Sequence, residues 1–597
     1  MITNLSNFFY TYIKKPWFSF FLICLSCAMI YVQGLNYNFI GIDDGGQILE
    51  NPYISEFSWT NIHAIFTTAT VDMYQPLTSM VFLVLSCLFG LKSTLPFHLL
   101  SLLLHILNTC LVALLGKHLL KHTGKALACA LLFSVHPLHV ESVSWISATS
   151  TCLFAFFFLS SFLSYTRYKT YSHSAYYWLS ISFFLLGCLS KILTISLLGV
   201  LFLYDIFIAK KSTFKQITIE KIPYFIFAVF IIIVGSYFRL GQSGLPELSY
   251  HPFWLIPDQL WWYLKKSLAP FQLIFLYGWP ETLSWSSMVL SLCGLLGLGY
   301  SCFFFRKNNL FLFGISFYLI TIFLHTTLFT SFLGPYANRY AYLPLVGLLI
   351  AIGSILKSPF DSWKVFIGWV IFFCFFFYQS IMLVPTWQST TDVWSRVLEI
   401  EESSFARGMR GAIYYQNYRY EAAIQDFEYF LQKPDFRFES EKFHYIYTAL
   451  TFMMLNRNPE KAVTYAKQAL NYQTDIKTYE NVAVAYKNNN QPINAEAIYQ
   501  DLLANHPNTY TLYNGLISLY FDQKAYKKLI PLLNTLITAN YQPLTNLKRR
   551  AYVYFLMGLY TKSSEDITRA EALNLTRSNL PDVQLLELKK KLTQRGF

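Results

Sequence analysis

Two hydrophobic patterns follow one another along the chain. Positions 17–384 are dominated by long apolar stretches, whereas 385–597 mix apolar and polar residues as a water-soluble protein does. A helix that crosses a bilayer needs about 20 predominantly apolar residues. Eleven runs are candidates: 17–33, 97–116, 126–140, 144–166, 174–190, 192–209, 222–238, 286–305, 309–330, 341–356 and 364–384. A further run, 76–90, is only about 15 residues long and is expected to be re-entrant or interfacial. Residues 1–386 are therefore expected to form a polytopic transmembrane domain of about 11 spans, and 387–597 a separate soluble domain.

From about 400 the apolar positions fall into short amphipathic helix pairs. Alanines recur in similar settings at Ala422-Ala423, Ala462, Ala495 and Ala525, spaced by 40, 33 and 30 residues. A helix-turn-helix unit repeating at about 34 residues is the tetratricopeptide pattern. Small alanines let paired helices approach, and the neighbouring Tyr and Phe residues fill the space to the next pair. The expected fold class is all-α, a transmembrane helical domain followed by a tetratricopeptide-repeat α-solenoid. Such solenoids present a concave face to a protein or peptide partner. A generic helical bundle is the alternative.

Charge sharpens this picture. Only 13% of the residues are charged, against about 25% in soluble proteins. The net charge of +13 resides largely in short loops between apolar runs, where orientation in the membrane accounts for it. No basic stripe with interleaved aromatics tracks a nucleic-acid strand, so no nucleic-acid partner is expected. With a cytoplasmic N-terminus, the inner loops carry Lys14 and Lys15; Lys117, Lys121 and Lys125; Arg167 and Lys169; and Lys210, Lys211 and Lys215. The same alternation places loops 34–75 and 239–285, the segments His136–Glu141 and Tyr336–Tyr342, and the soluble domain on the opposite face. A bacterial inner (plasma) membrane with a periplasmic repeat domain is favoured over the endoplasmic reticulum. All ten cysteines lie between Cys24 and Cys374, mostly within apolar runs, and no zinc-type spacing occurs.

Several ionisable residues stand out. Asp43 and Asp44 adjoin just past the first apolar run. Adjacent carboxylates raise one another's pKa, which suits a general base; they could also hold a metal or be solvated. His136, His139 and Glu141 lie at the end of a span, and ionisable groups at such depth are usually functional. Each His could instead satisfy a helix end. Lys191 interrupts an apolar stretch; with Arg239, Lys265 and Arg339 it could bind a phosphate, or simply snorkel.

At these residues the chain resembles the GT-C glycosyltransferases, specifically the membrane-plus-tetratricopeptide group related to protein O-mannosyltransferases. The likeness rests on ordered segments: Asp43-Asp44, Asn51-Pro52, Tyr74-Gln75-Pro76-Leu77-Thr78, Phe97-His98, His105, Asn108, His136 to Trp145, Ser190-Lys191, Tyr263, Pro270, Arg339 to Pro344, and Trp387 to Trp394. It implies transfer of a sugar from a polyprenyl or dolichyl phosphate at the outer face, to an acceptor that includes protein. It implies a base in the first loop, Asp43 or Asp44, with His139 and Glu141 shaping a substrate pocket. The implied partners are the lipid-linked sugar donor, membrane lipid, and a protein acceptor met through the repeats; a role for a divalent metal stays open. Two positions depart from the family pattern. Ala148-Thr149-Ser150-Thr151 stands where a Gly-Arg…Asp stretch is usual, and Asn338 where an acidic residue is usual. These departures motivate the alternative of a non-catalytic membrane-anchored scaffold for envelope proteins. A transporter fits less well, because its site would lie near the bilayer midplane.

Overall fold

The computed structural model describes residues 15–210, 213–243, 253–279, 284–327, 334–361, 363–435, 439–575 and 582–597. The architecture is all-α; among the described residues the only β-type pairing is an isolated bridge between Thr70 and Met73. The chain divides into two compact units, Met1–Ala406 and Arg407–Phe597.

The first unit is an integral membrane domain. Among the described residues, seven helices are long and apolar enough to cross a bilayer: Pro16–Gly34, Leu95–Leu120, Ile146–Tyr171, Ile192–Ala209, Phe214–Phe238, Trp285–Phe304 and Trp363–Trp387. An eighth crossing results if Thr123–Ser134 and Pro137–Ser144, which meet at 51°, count as one broken span. The break falls where Pro137, lacking an N–H, interrupts the ladder. Ser174–Ser190, Asn309–Phe323 and Pro344–Ile355 are helical but shorter, as is Pro76–Phe89. Lys191 ends the first of these in extended backbone, φ −161°. Helix Trp285–Phe304 turns Val289, Leu290, Leu292 and Leu296 outward at 54–63% exposure, which is stable against lipid and not against water.

Two packing features position the site. Ile48, Ile54 and Ile65 from the first loop pack with Phe82, Leu83, Phe97 and Ile146. This apolar cluster fixes the Asp43-Asp44 segment against the start of helix Ile146–Tyr171. Elsewhere, Gly314 and Gly347 let their helices touch backbone to backbone. A Cβ on either residue would lie 2.6 Å from the other's carbonyl oxygen. Helices in lipid gain van der Waals contact through such small-residue seams, and this seam anchors the helix that follows Arg339.

At the far end of helix Thr149–Tyr171 lies a buried ionic network. Lys221 pairs with Asp205 and Tyr165, while Lys169 pairs with Glu220 at 2.7 Å. Tyr165 also donates to Asp205 at 2.7 Å. Two acids and two bases balance each other there, closing the ends of three helices.

The second unit resembles a tetratricopeptide solenoid. Its helix pairs are Ser404–Gln416 with Tyr420–Gln432, Ser440–Met454 with Pro459–Ala469, Ile476–Asn488 with Pro492–Asn505, Tyr510–Asp522 with Tyr526–Thr538, and Pro543–Leu556 with Tyr560–Leu575. A final helix, Val583–Thr593, packs Leu585, Leu588 and Leu592 against the last pair. Ala423, Ala462 and Ala495 are fully buried, as the close approach of paired helices requires. The repeat is also written in charge. Arg410 makes a bidentate pair with Asp426, and Arg550 with Asp566, each across 16 residues from the first to the second helix of a pair.

Candidate functional site

The two adjacent aspartates have different surroundings. Asp44 is completely buried. Its carboxylate accepts the Ile40 N–H at 2.7 Å, the Ser147 N–H at 2.9 Å and the Ser147 hydroxyl. These bonds tie the first loop to the turn before helix Thr149–Tyr171. Burial pushes the Asp44 carboxyl up to about 6, against the pull of its hydrogen bonds. Asp43 is half-buried, and among the described residues its carboxylate accepts no hydrogen bond. Burial raises its pKa, while the positive charges of Arg339 and Lys191 lower it. Asp44 thus holds the loop, and Asp43 faces two cations.

Arg339 forms an ion pair with Glu141, whose carboxylate is 2% exposed. Among the described residues, the second Glu141 oxygen is buried without a hydrogen-bond partner. The guanidinium lies over the rings of Trp145, Phe275 and Tyr340 at 5.3, 5.9 and 5.1 Å. Trp145 stacks in turn on Trp387 at 5.6 Å. An aromatic wall therefore fixes the plane of the cation and thins the water around it, strengthening its field.

The segment carrying Arg339 is bracketed by hydrogen bonds. The Ala337 N–H donates to the Tyr263 hydroxyl at 3.1 Å, Tyr277 donates to Asn338 at 2.8 Å, and Asn338 donates to the Ile274 carbonyl at 2.7 Å. Asn338, where an acid is usual in the resembling family, is thus a bracket, and Arg339 takes its carboxylate from Glu141. Lys191 is held similarly. Thr78 donates to the Ser190 carbonyl at 3.1 Å, and the Lys191 ammonium donates to the Thr151 hydroxyl at 3.0 Å. Among the described residues, no carboxylate lies within ion-pair distance of Lys191.

The other sequence candidates fall elsewhere. His136 is buried, donating to the Ser267 carbonyl at 3.0 Å and accepting the Leu138 N–H at 3.3 Å. His139 is buried too, bonded to the Phe133 carbonyl at 2.8 Å and packed 4.5 Å from the Tyr342 ring. Tyr342 is further anchored by His105 at 2.8 Å and Asn108 at 3.1 Å. His136 and His139 lie at the break between helices Thr123–Ser134 and Pro137–Ser144. Lys265 is exposed to the surroundings, and its neighbour Lys266 turns in to the carbonyls of Phe271 and Gln272. The side chain of Arg239 lies outside the described residues.

One group was not singled out from the sequence. His325 is 5% exposed and stacks on Tyr340, ring centroids 4.3 Å apart and planes within 19°. It lies within electrostatic range of both Lys191 and Arg339. Among the described residues, no group of three or more His, Cys, Asp or Glu is placed to hold a metal ion. A separate cavity of about 360 Å³, lined by Gln272, Gln379, Asp392, Arg396 and Glu399, shares no residue with the Asp43 site.

No family model matches the chain. Human protein O-mannosyl-transferase TMTC3 is 33% identical over 143 residues, covering 24% of this chain and 15% of that protein. Protein O-mannosyl-transferase tmtc2 of Xenopus laevis is 30% identical over 230 residues, 36% of this chain and 27% of that protein. Human TMTC4, also a protein O-mannosyl-transferase, is 31% identical over 169 residues, 25% and 23% respectively. The matched parts thus span roughly a quarter or less of these relatives. Among solved structures, ArnT from Cupriavidus metallidurans bound to undecaprenyl phosphate aligns over 81% of this chain and 80% of its own. At a TM-score of 0.36 and 13% identity that likeness is too loose to assign a shared fold.

Proposed function

We propose that this protein is a GT-C-type membrane glycosyltransferase that moves a sugar from a polyprenyl-phosphate donor to a protein hydroxyl. The observation that carries this reading is the convergence of Asp43, Lys191 and the Glu141–Arg339 pair from four distant segments. Similarity to proteins named O-mannosyl-transferases supports it and makes mannose the first sugar to assay.

The residues divide the work. Arg339, oriented by Glu141 and its aromatic wall, and Lys191, oriented by Thr151, bind the donor phosphate. Asp43 accepts the proton of the acceptor hydroxyl as its oxygen bonds to the sugar C1. The C1–O bond to phosphate breaks, and its electron pair leaves on the phosphate. The anomeric centre inverts, because attack and departure occur on opposite faces. The donor enters laterally from lipid, which accounts for a polar site in a helical membrane domain. The reading places this site and the repeats on the non-cytoplasmic side, where the solenoid presents the acceptor.

The test is transfer of labelled mannose from polyprenyl-phosphate mannose to envelope proteins in membranes carrying wild type, Asp43→Asn or Asp43→Asn with Asp44→Asn. Removal of a general base costs about 10²–10⁴-fold, so the single Asp43 variant should lose nearly all transfer. Full activity of the double variant would remove the mechanism and favour the scaffold reading, which the hydroxyl residues at 149–151 motivate.

A further inference from the structure

The Tyr340 ring carries two groups at once. The Arg339 guanidinium lies 5.1 Å from its centroid, and the His325 imidazole stacks parallel to it at 4.3 Å. His325 therefore shares a support with the cation assigned to the donor phosphate, and Lys191 is also within its electrostatic range. The imidazole is 95% buried by its 5% exposure, yet among the described residues it makes no hydrogen bond. That contrasts with His136, His139 and His105, each bonded to a backbone carbonyl. The small exposed part of the ring includes its nitrogens, so a ligand atom in the site can reach them.

Resting on the proposed reading, we infer that His325 is a leaving-group contact, donating its ring N–H to an oxygen of the lipid phosphate. The chemistry gives that contact a purpose. The donor is a phosphodiester with one negative charge. When the C1–O bond breaks, the electron pair stays on oxygen and the phosphate becomes a monoester with a second charge, while Asp43 holds the acceptor's proton. A donor aimed at that oxygen binds the departing group more strongly than the intact diester, and only such differential binding speeds the chemical step. Arg339 is already paired with the Glu141 carboxylate, so a third donor raises the capacity of the site for the added charge.

The experiment uses the full chain in nanodiscs and compares binding of undecaprenyl monophosphate with undecaprenol. Wild type, His325→Ala, His325→Gln and His325→Phe are measured, with kcat and KM for transfer. Wild type should prefer the monophosphate, and His325→Ala should weaken that binding about tenfold, as loss of a hydrogen bond to a charged group does. It should lower kcat more than it changes KM. His325→Gln, which retains an N–H, should recover much of the loss; His325→Phe, which retains only the stack on Tyr340, should not. Recovery with Phe, or unchanged monophosphate binding in the Ala variant, overturns the inference and leaves the enzyme reading standing. If wild type itself does not distinguish monophosphate from alcohol, the lipid-phosphate reading fails and takes this inference with it.

Discussion

Arg339 pairs with Glu141 across 198 residues of chain, joining the second arm of a broken helix, Pro137–Ser144, to the turn before helix Pro344–Ile355. The Glu141 carboxylate is 2% exposed and the Arg339 side chain 19%. Removing one member of a buried pair strands the other charge and costs about 3–5 kcal/mol, whereas removing both costs much less. Glu141→Ala and Arg339→Ala should each lower stability by about that amount. The double variant should fall well short of their sum. Unfolding in mixed micelles provides the double-mutant cycle, and additivity within about 0.5 kcal/mol would show the pair to be uncoupled.

Asp44 predicts a pH dependence. Burial raises its carboxyl from the ordinary 3.8 to about 6. The folded chain therefore holds this proton more tightly than the unfolded chain does. The stability this supplies is fully present below about pH 4 and is lost as pH rises through about 6. The Tm of wild type relative to Asp44→Asn should accordingly decline across that window. A difference that stays flat from pH 4 to 7 would mean Asp44 does not titrate there.

How much of this was legible beforehand depends on contrast. Asp43, Glu141, Lys191 and Arg339 stand out because charges are conspicuous among apolar residues, where they are expensive. Which aspartate is tied down was not legible, because Asp43 and Asp44 differ only in the partners that folding supplies from Ile40 and Ser147. His136 and His139 read as offered ligands, yet a neutral His bonded to a carbonyl looks the same in sequence. Lys265 and Lys266 were indistinguishable until helix Ile256–Leu268 set which one turned inward. His325 gave no signal, since its setting depends on Tyr340, 15 residues further along the chain. The repeats were legible through Ala423, Ala462 and Ala495, because helix pairing demands small residues at a fixed period.

The glycine seam predicts a second kind of sensitivity. Gly314→Ala or Gly347→Ala would place a Cβ 2.6 Å from opposing backbone, which no side-chain rearrangement relieves. The two helices must separate, losing contact along the seam and shifting the Arg339 segment. Each substitution should destabilise the membrane unit by about 1–3 kcal/mol. Transfer should fall with it, although neither glycine belongs to the site. Unchanged thermal stability in detergent for both variants would show that the helices do not meet this closely.

The repeats carry a prediction that is independent of the membrane chemistry. Asp426 is 1% exposed and accepts both Arg407, at 2.9 Å, and the Arg410 fork. Asp566 is 3% exposed and accepts the fork of Arg550, which also reaches Asn534 at 2.6 Å. Each aspartate lies between the two helices of a pair, so its removal leaves guanidinium groups facing an apolar seam. In a solenoid, stability is a sum of repeats and their interfaces, so the damage should stay near the altered pair. Asp426→Ala should speed amide exchange in residues 404–432 while leaving 543–575 nearly unchanged. Asp566→Ala should do the reverse. Exchange that rises uniformly through residues 407–597 in either variant would mean the unit unfolds as one block, and the repeat description of its energetics would be wrong.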